Sequence, residues 1–577
     1  MEIVHRTGKA AWQTLSGALG VLALLASGMA YAAPPGSALP GSGDPGRILE
    51  DLKQLPEPAV AAPSVTVSPV EAAPPPAGAA SAVFRLDQVE IEGATAYSQD
   101  SLQAVFRPYL GQYMSLRKLY ELTALITQRY HDDGYALSKA VIPPQAITDG
   151  TVRIQVVEGY ISDIKTEGHF RDSPVAQGII DRIKSYRPLN ARDLERDMLL
   201  LNDLGGVAVR AVLKPTDSTG EQKSAPGSAG LALVFEDVPV PASVSVDNLG
   251  SRYTGPYQVG LSAGVNSLVI PYSQTLFSGL ESIPANNLKV VSLSQRMPLN
   301  SYGTAATLQA SYAHSEPGYR LTPEDVVSDS YNYGIALSHP LIRSRAQNLY
   351  LGGDLTVKDI ATDTLGYRLY DDRLRIASAS ATYDLQDRWG GSNLGLLRLS
   401  QGLDLLGESR TGSPDLSRAG GHSDFTKGSG NIGRLQGITE TVHLYMAAEG
   451  QYAWSPLLSS EQFGFGGQQF GRAYDPSELT GDDGVAGMIE LRYTLPAGLP
   501  KLSSELFTFY DIGRVWNYGD AGNAESAASA GLGVRFTWNE HLSGNLTLAK
   551  PLTRKAEAPD YGSGKDTRAF FSLTASY

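Results

Sequence analysis

From about residue 238 onward the chain alternates between apolar and polar positions. In 257–265 the odd positions are apolar and the even ones small or polar, and 306–312, 349–357 and 442–448 follow the same rule. Strict period two over eight or nine residues gives a strand one apolar and one polar face. A water-soluble sandwich would place more large aliphatics on its inner face and use shorter strands. These strands reach the length needed to cross a bilayer at a tilt. The region holds about 340 residues, which at roughly 20 per strand and connection accommodates about 16 strands. A transmembrane antiparallel β-barrel is therefore predicted over 238–577. The Gly- and Ser-rich stretch 406–435 reads as a long external loop. The final segment puts Phe571, Leu573, Ala575 and Tyr577 on one face. A strand that closes a barrel must pair on both edges, and a terminal aromatic of this kind is what bacterial barrel-insertion machinery recognises.

Before the barrel, 84–236 contains an internal repeat. A strand closed by Gly93 is echoed by one closed by Gly168. Each is followed by two helical patterns, a glycine turn (Gly134; Gly205 and Gly206) and two strands, the last of them 152–156 and 231–235. The period is about 75 residues, and each unit reads β-α-α-β-β. Two small tandem α+β domains are predicted, over 83–159 and 160–237.

Residues 33–82 are rich in Pro, Ala, Gly and Ser and cannot build a core. One island interrupts them. Asp44 and Pro45 cap a predicted helix at about 44–55, in which Ile48, Leu49, Leu52 and Leu55 fall at helical spacing before Pro56 stops it. On the residues alone, a transient turn in a tether and a docking or plug helix are equally compatible with it. Upstream, His5, Arg6 and Lys9 precede an apolar stretch and the small-x-small sequence Ala30-Tyr31-Ala32, the pattern of a signal peptide over 1–32.

Composition narrows the class further. The 577 residues are 19% charged, with 61 Gly and 29 Tyr, a bias that suits curved strands and interfacial aromatic girdles. A net charge of -13 argues against a nucleic-acid partner. The absence of cysteine excludes disulfides and thiolate metal sites. No enzyme motif is convincing. Ser262 matches a nucleophile-elbow pattern but lies inside an alternating strand rather than a strand-to-helix turn. The run 562–565 lacks the parts of a phosphate loop, and the eight histidines form no metal cluster. No catalytic residue, metal or cofactor is expected.

The informative stretch is 462–476. As a surface loop it would expose Phe463, Phe465, Phe470 and Tyr474. Folding back into the barrel lumen removes that exposure and leaves Arg472 in need of a carboxylate. Asp511, two residues after Phe509 on one face of a predicted strand, is the candidate.

These residues resemble the two-partner secretion transporters, the exporters of filamentous haemagglutinin and haemolysin. Tyr130-x-x-x-Gly134-Tyr135, Pro143-Pro144-Gln145, Asp149-Gly150 and Glu158-Gly159 look like the first polypeptide-transport-associated (POTRA) domain of that family. Phe470-Gly471-Arg472-Ala473-Tyr474 resembles its lumenal-loop signature, and Phe509-x-Asp511-x-Gly513 the barrel-wall partner motif. Ala473 stands where the signature usually has Gly. The resemblance implies two periplasmic POTRA domains, a 16-stranded outer-membrane barrel, an N-terminal plug helix, a lumenal loop at about 462–484 and an Arg472–Asp511 contact. It also implies export, without ATP, of an unfolded partner exoprotein such as an adhesin or cytolysin. On this reading the POTRA domains capture the partner, with the helix from Asp193 to Leu204 and the strand from Val207 to Leu213 as candidate recognition surfaces. The rival reading is an outer-membrane protein insertion factor; such relatives commonly carry more POTRA domains and lack a Pro-rich plug segment.

Overall fold

The computed structural model describes residues 39–52, 56–58, 70–71, 73–214, 225–240, 242–283, 285, 287–496, 500–539 and 541–577. The proposed signal peptide and Leu55 lie outside these. The chain forms two compact units, one containing the repeat and one containing the barrel with residues 39–52 and 56–58.

In the repeat unit each copy is β-α-α-β-β. The first has strand Gln88–Glu92, helices Gln99–Gln103 and Leu116–Asp132, and strands Lys139–Val141 and Thr151–Val157. The second has Tyr160–Gly168, Pro174–Ser185, Ala191–Asn202, Val207–Lys214 and Ser228–Asp237. In both, the first strand pairs in parallel with the last, and the fourth element lies antiparallel on the other side. The helices bury the faces their periodicity predicts, with Leu119, Leu122 and Ile126 against Val152, Ile154 and Val156 in the first copy. A two-stranded ribbon, Val83–Leu86 with Gln112–Ser115, adds to the first copy; its strands are too short for periodicity to reveal.

The motif residues of the first copy have local physical roles. Glu158 accepts hydrogen bonds from the Tyr130 hydroxyl at 2.8 Å, the Ala96 amide at 2.9 Å and the Thr95 amide at 2.7 Å. Tyr130 packs edge-on against Tyr97 and Tyr135. Gly134 adopts φ +97° at the end of its helix, where side chains are strained. Its carbonyl accepts from the Ala191 amide at 2.8 Å, and that of Gly159 accepts from Leu189 at 2.8 Å. Both glycines therefore join the two copies.

Burial pushes the Glu158 carboxyl up, but the hydrogen bonds from Thr95, Ala96 and Tyr130 outweigh it and hold the group below the usual carboxylate range. A lowered folded value gives stability that is present above the unfolded value and lost as pH falls through the folded one. Glu158→Gln is expected to destabilise this copy by roughly 1–3 kcal/mol and to remove that acid sensitivity. Hydrogen exchange at the Thr95 and Ala96 amides of the full chain, from neutral to acid pH, checks it; unchanged protection would refute it.

The other unit is a closed antiparallel barrel of 16 strands. Ser243–Asp247 opens it, fourteen more strands follow in sequence order, and Arg568–Ser576 returns to pair with the first. That seam has five residue pairs, from Ser572 opposite Asp247 to Ser576 opposite Ser243. Asn248 extends it: its amide oxygen accepts from the Phe571 N–H at 2.6 Å and its Nδ2 donates to the Ala569 carbonyl at 2.9 Å. Along Val326–Arg343, Tyr331, Tyr333, Ile335 and Leu337 face outward, while Ser328 and Ser330 are buried inside. Ser262 lies mid-strand with its hydroxyl 2.7 Å from that of Ser243. At the terminus Leu573 and Tyr577 are exposed and Phe571 is half-buried.

One expectation needs correction. The stretch 406–435 is not one loop, because 426–435 belongs to strand Thr426–Gly437. Its glycines mimic a loop in the sequence, yet a Cβ at Gly430 would sit 2.9 Å from Leu397 and one at Gly433 3.3 Å from Pro58. The helix predicted at about 44–55 is present, and residues 53–55 lie outside the described ones. It is a 3₁₀ turn, Pro45–Arg47, followed by one α turn, Ile48–Asp51. Its polar side chains bond outward to the wall and loop, so tertiary partners rather than helical propensity fix its path.

Candidate functional site

The loop between strands Val442–Ala453 and Asp483–Thr494 turns into the lumen and carries its own small ribbon, Phe463–Phe465 against Leu479–Gly481. Phe463, Phe465, Phe470 and Tyr474 are buried against Tyr445, Leu479, Met488 and Val515, which removes the exposure expected of a surface loop. The wall strand Leu502–Trp516 forms the seat at three inward positions. The ring of Phe509 lies under Arg472, 3.6 Å from centroid to Cζ. Asp511 accepts from Arg472 Nη2 at 2.8 Å, Nε at 3.1 Å and the Arg472 amide at 3.0 Å. Gly513 leaves room for Phe465, whose Cγ would lie 2.8 Å from any Cβ there.

Arg472 is 5% exposed, and both carboxylates beside it are fully buried. The second, Glu490, lies outside both sequence motifs. It also accepts from Arg492 Nε and Arg535 Nη1, each at 2.8 Å. Three guanidiniums thus share one carboxylate, and Asp511 and Glu505 complete the network. A signal for it existed: Glu490 and Arg492 lie two apart on a strand whose Leu491 and Tyr493 face outward. Period-two parity alone sends both charges into the lumen. Gly471 adopts φ +83°, and a Cβ on it would lie 2.7 Å from the Phe465 ring. Ala473 stays out of the left-handed region, and its methyl packs among Phe507, Phe509, Ala549 and Phe570. Tyr474 donates to the Ala528 carbonyl at 3.0 Å, and Arg568 of the last strand pairs with Asp475 at 2.6 Å.

Residues 41–52 and 56–58 occupy the same lumen. Ile48 packs with Leu288, Val290 and Ala313, Leu49 is partly buried beside it, and Leu52 is exposed. The firmest attachments are polar. Arg47 donates to the Ser459 and Gln462 carbonyls, both at 2.8 Å, and to Ser477 Oγ at 3.0 Å. It therefore bridges both limbs of the lumenal loop. Tyr370 donates to Asp44 at 2.9 Å, while Glu50 and Glu57 pair with Lys358 and Arg492.

In the repeat unit, Asp193 and Leu204 lie on and just beyond helix Ala191–Asn202. Val207 and Leu213 belong to strand Val207–Lys214, which pairs on one side only among the described residues.

A 16-stranded barrel with an occupied lumen, in a chain that also carries tandem POTRA-type repeats, defines an outer-membrane polypeptide transporter. The family model for haemolysin secretion/activation proteins ShlB/FhaC/HecB matches residues 234–536, and that for the ShlB-type POTRA domain matches 84–159. The chain is 25% identical over 497 residues to the heme/hemopexin transporter protein HuxB of Haemophilus influenzae (strain 86-028NP), covering 83% of this chain and 85% of that one. It is 25% identical over 515 residues to the outer membrane transporter CdiB of Escherichia coli O6:K15:H31 (strain 536 / UPEC), covering 82% and 80%. Among solved structures, CdiB from Escherichia coli superposes with a TM-score of 0.72 at 21% identity, covering 90% of this chain and 94% of that one. CdiB from Acinetobacter baumannii gives 0.63 at 16% identity, covering 92% and 96%. The chain belongs to the ShlB/FhaC/HecB family. It is a two-partner secretion transporter of the outer membrane, with its POTRA domains in the periplasm, and it moves a partner protein across that membrane.

Proposed function

We propose that this transporter exports one dedicated exoprotein, an adhesin, cytolysin or similar, as an unfolded chain and without ATP. The observation that carries this reading is the polar seating of the segment around 41–58. Hydrogen bonds and ion pairs hold it rather than a continuous apolar face, so each attachment can pass to another polar partner, and the segment can leave and the conduit open. Strand Val207–Lys214 supports capture of the passenger by strand addition, because backbone pairing tolerates varied sequence. The adjacent helix from Asp193 flanks that edge. The driving force is then folding of the passenger outside the cell. On this reading residues 1–32 are the cleaved export signal, and Phe571, Leu573 and Tyr577 are read by the barrel-insertion machinery before the outward face meets lipid. The chain acts as a conduit and not as an enzyme.

Deleting the gene is expected to remove one surface or secreted protein and leave other barrels intact. In the complemented strain, a photo-reactive residue at Val212, 44% exposed, is expected to crosslink to that protein in transit. Broad loss of outer-membrane barrels would instead favour an insertion factor, and absence of the crosslink would remove the strand from the mechanism.

A further inference from the structure

Two carboxylates of the lumenal segment end on cations of the barrel wall, and the two receptors are built differently. Glu50 Oε1 lies 2.9 Å from Lys358 Nζ, on a side chain only 4% exposed. Lys358 also pairs with Glu461 at 2.6 Å, and Lys427 holds that same carboxylate at 2.9 Å. Two wall ammoniums therefore share one carboxylate of the loop stem, and Glu50 supplies a second.

The other receptor is a fork. Glu57 meets the open edge of Arg492, 3.0 Å from Nη1 and 3.2 Å from Nη2. Arg492 Nε is committed to Glu490, and its guanidinium lies 4.5 Å from the Tyr445 ring centroid. A guanidinium held by one edge presents two parallel N–H donors, a geometry matched to a carboxylate. Residues 44–57 carry Asp44, Glu50, Asp51 and Glu57 against Arg47 and Lys53, and Arg47 turns towards Asp51 within the segment, at 3.8 Å. Glu50 and Glu57 meet the wall.

When this segment leaves, both receptors lose a carboxylate. An enclosed cation regains only part of its hydration in a confined lumen, so the next carboxylate to arrive is favoured. We propose that Lys358 and Arg492 are carboxylate receptors for the passenger. An acidic stretch of unfolded polypeptide, its carboxylates spaced like those of Glu50 and Glu57, displaces the resident segment by taking the same two partners. The proposal rests on the export reading and names the chemistry of what is exported.

The test uses the full chain in planar bilayers. The E50Q/E57Q variant leaves the receptors without their resident carboxylates. The probes are a synthetic peptide of residues 41–58 and the same peptide with Gln at 50 and 57. The native peptide is expected to block the current, with the Gln peptide about tenfold weaker, and high salt should erase the difference. Adding K358Q/R492Q should make the two peptides block alike. Equal block by both peptides in the E50Q/E57Q chain, or a preference that survives K358Q/R492Q, overturns the proposal. Heat-modifiable gel mobility reports insertion. Should the double wall variant fail to insert, K358Q and R492Q are read singly with singly substituted peptides, each expected to lose preference for its own carboxylate. Peptide block needs no exported partner, so lost preference with intact secretion removes the receptors alone, and lost secretion specificity removes the export reading.

Discussion

Arg472→Ala is expected to abolish or strongly reduce secretion of the partner while the inserted barrel persists in the membrane. The side chain holds the lumenal loop through Asp511 and Glu490, both fully buried. Its removal leaves two carboxylates short of a partner, a change that costs about 3–5 kcal/mol when a buried pair is broken. Arg492 and Arg535 still neutralise Glu490; Asp511 keeps only the Gly471 and residue-472 amides and Ser529. The loop therefore loses its seat while the wall stays intact. Arg472→Lys should rescue poorly, since an ammonium cannot span both carboxylates with a planar fork. Immunoblotting of the secreted partner beside heat-modifiable mobility of the barrel checks the outcome. Normal secretion from the alanine variant would take the anchor out of the mechanism.

The second large effect is steric. Gly513→Ala places a methyl against the Phe465 ring, 2.8 Å from Cγ, and overpacking of this kind costs roughly 1–3 kcal/mol. The ring must move, and with it the small ribbon that Phe465 anchors, although Arg472 and Asp511 are untouched. Higher resting conductance and a severalfold loss of secretion are expected. Phe465→Val in the same chain should restore both, because it removes the colliding ring. Failure of that rescue would mean Gly513 acts through something other than Phe465.

Much of this is legible in the amino-acid sequence alone. Period-two alternation gives the barrel and its inner face, because a strand in lipid has no other way to partition its side chains. The aromatic run at 463–474 announces a buried loop, since water would not tolerate it exposed. What stayed hidden depended on partners far apart in the chain. Glu490 and Arg535 gain their roles only when two strands become neighbours of a third. At 44–55 the legible signal is the leucine spacing, whereas Arg47, Asp44, Glu50 and Glu57 make the attachments. Helical spacing reports which face is apolar, and here the polar face makes most of the attachments. Part of Thr426–Gly437 resembles a loop because glycines that admit Leu397 and Pro58 look the same in a sequence as glycines that bend a turn.

The five-pair seam also sets the timetable of assembly. Strand Ser243–Asp247 finds its second neighbour more than 300 positions later, in Arg568–Ser576, the largest sequence separation the barrel contains. Contacts of that kind form slowly, because chain entropy is lost long before they reward it. Every other pairing can zip up between neighbours as they arrive. The cylinder cannot become watertight until residue 576 is delivered, and the amide of Asn248 then adds one rung to a short ladder. Until that moment the chain can form at most an open, curling sheet with two unpaired edges.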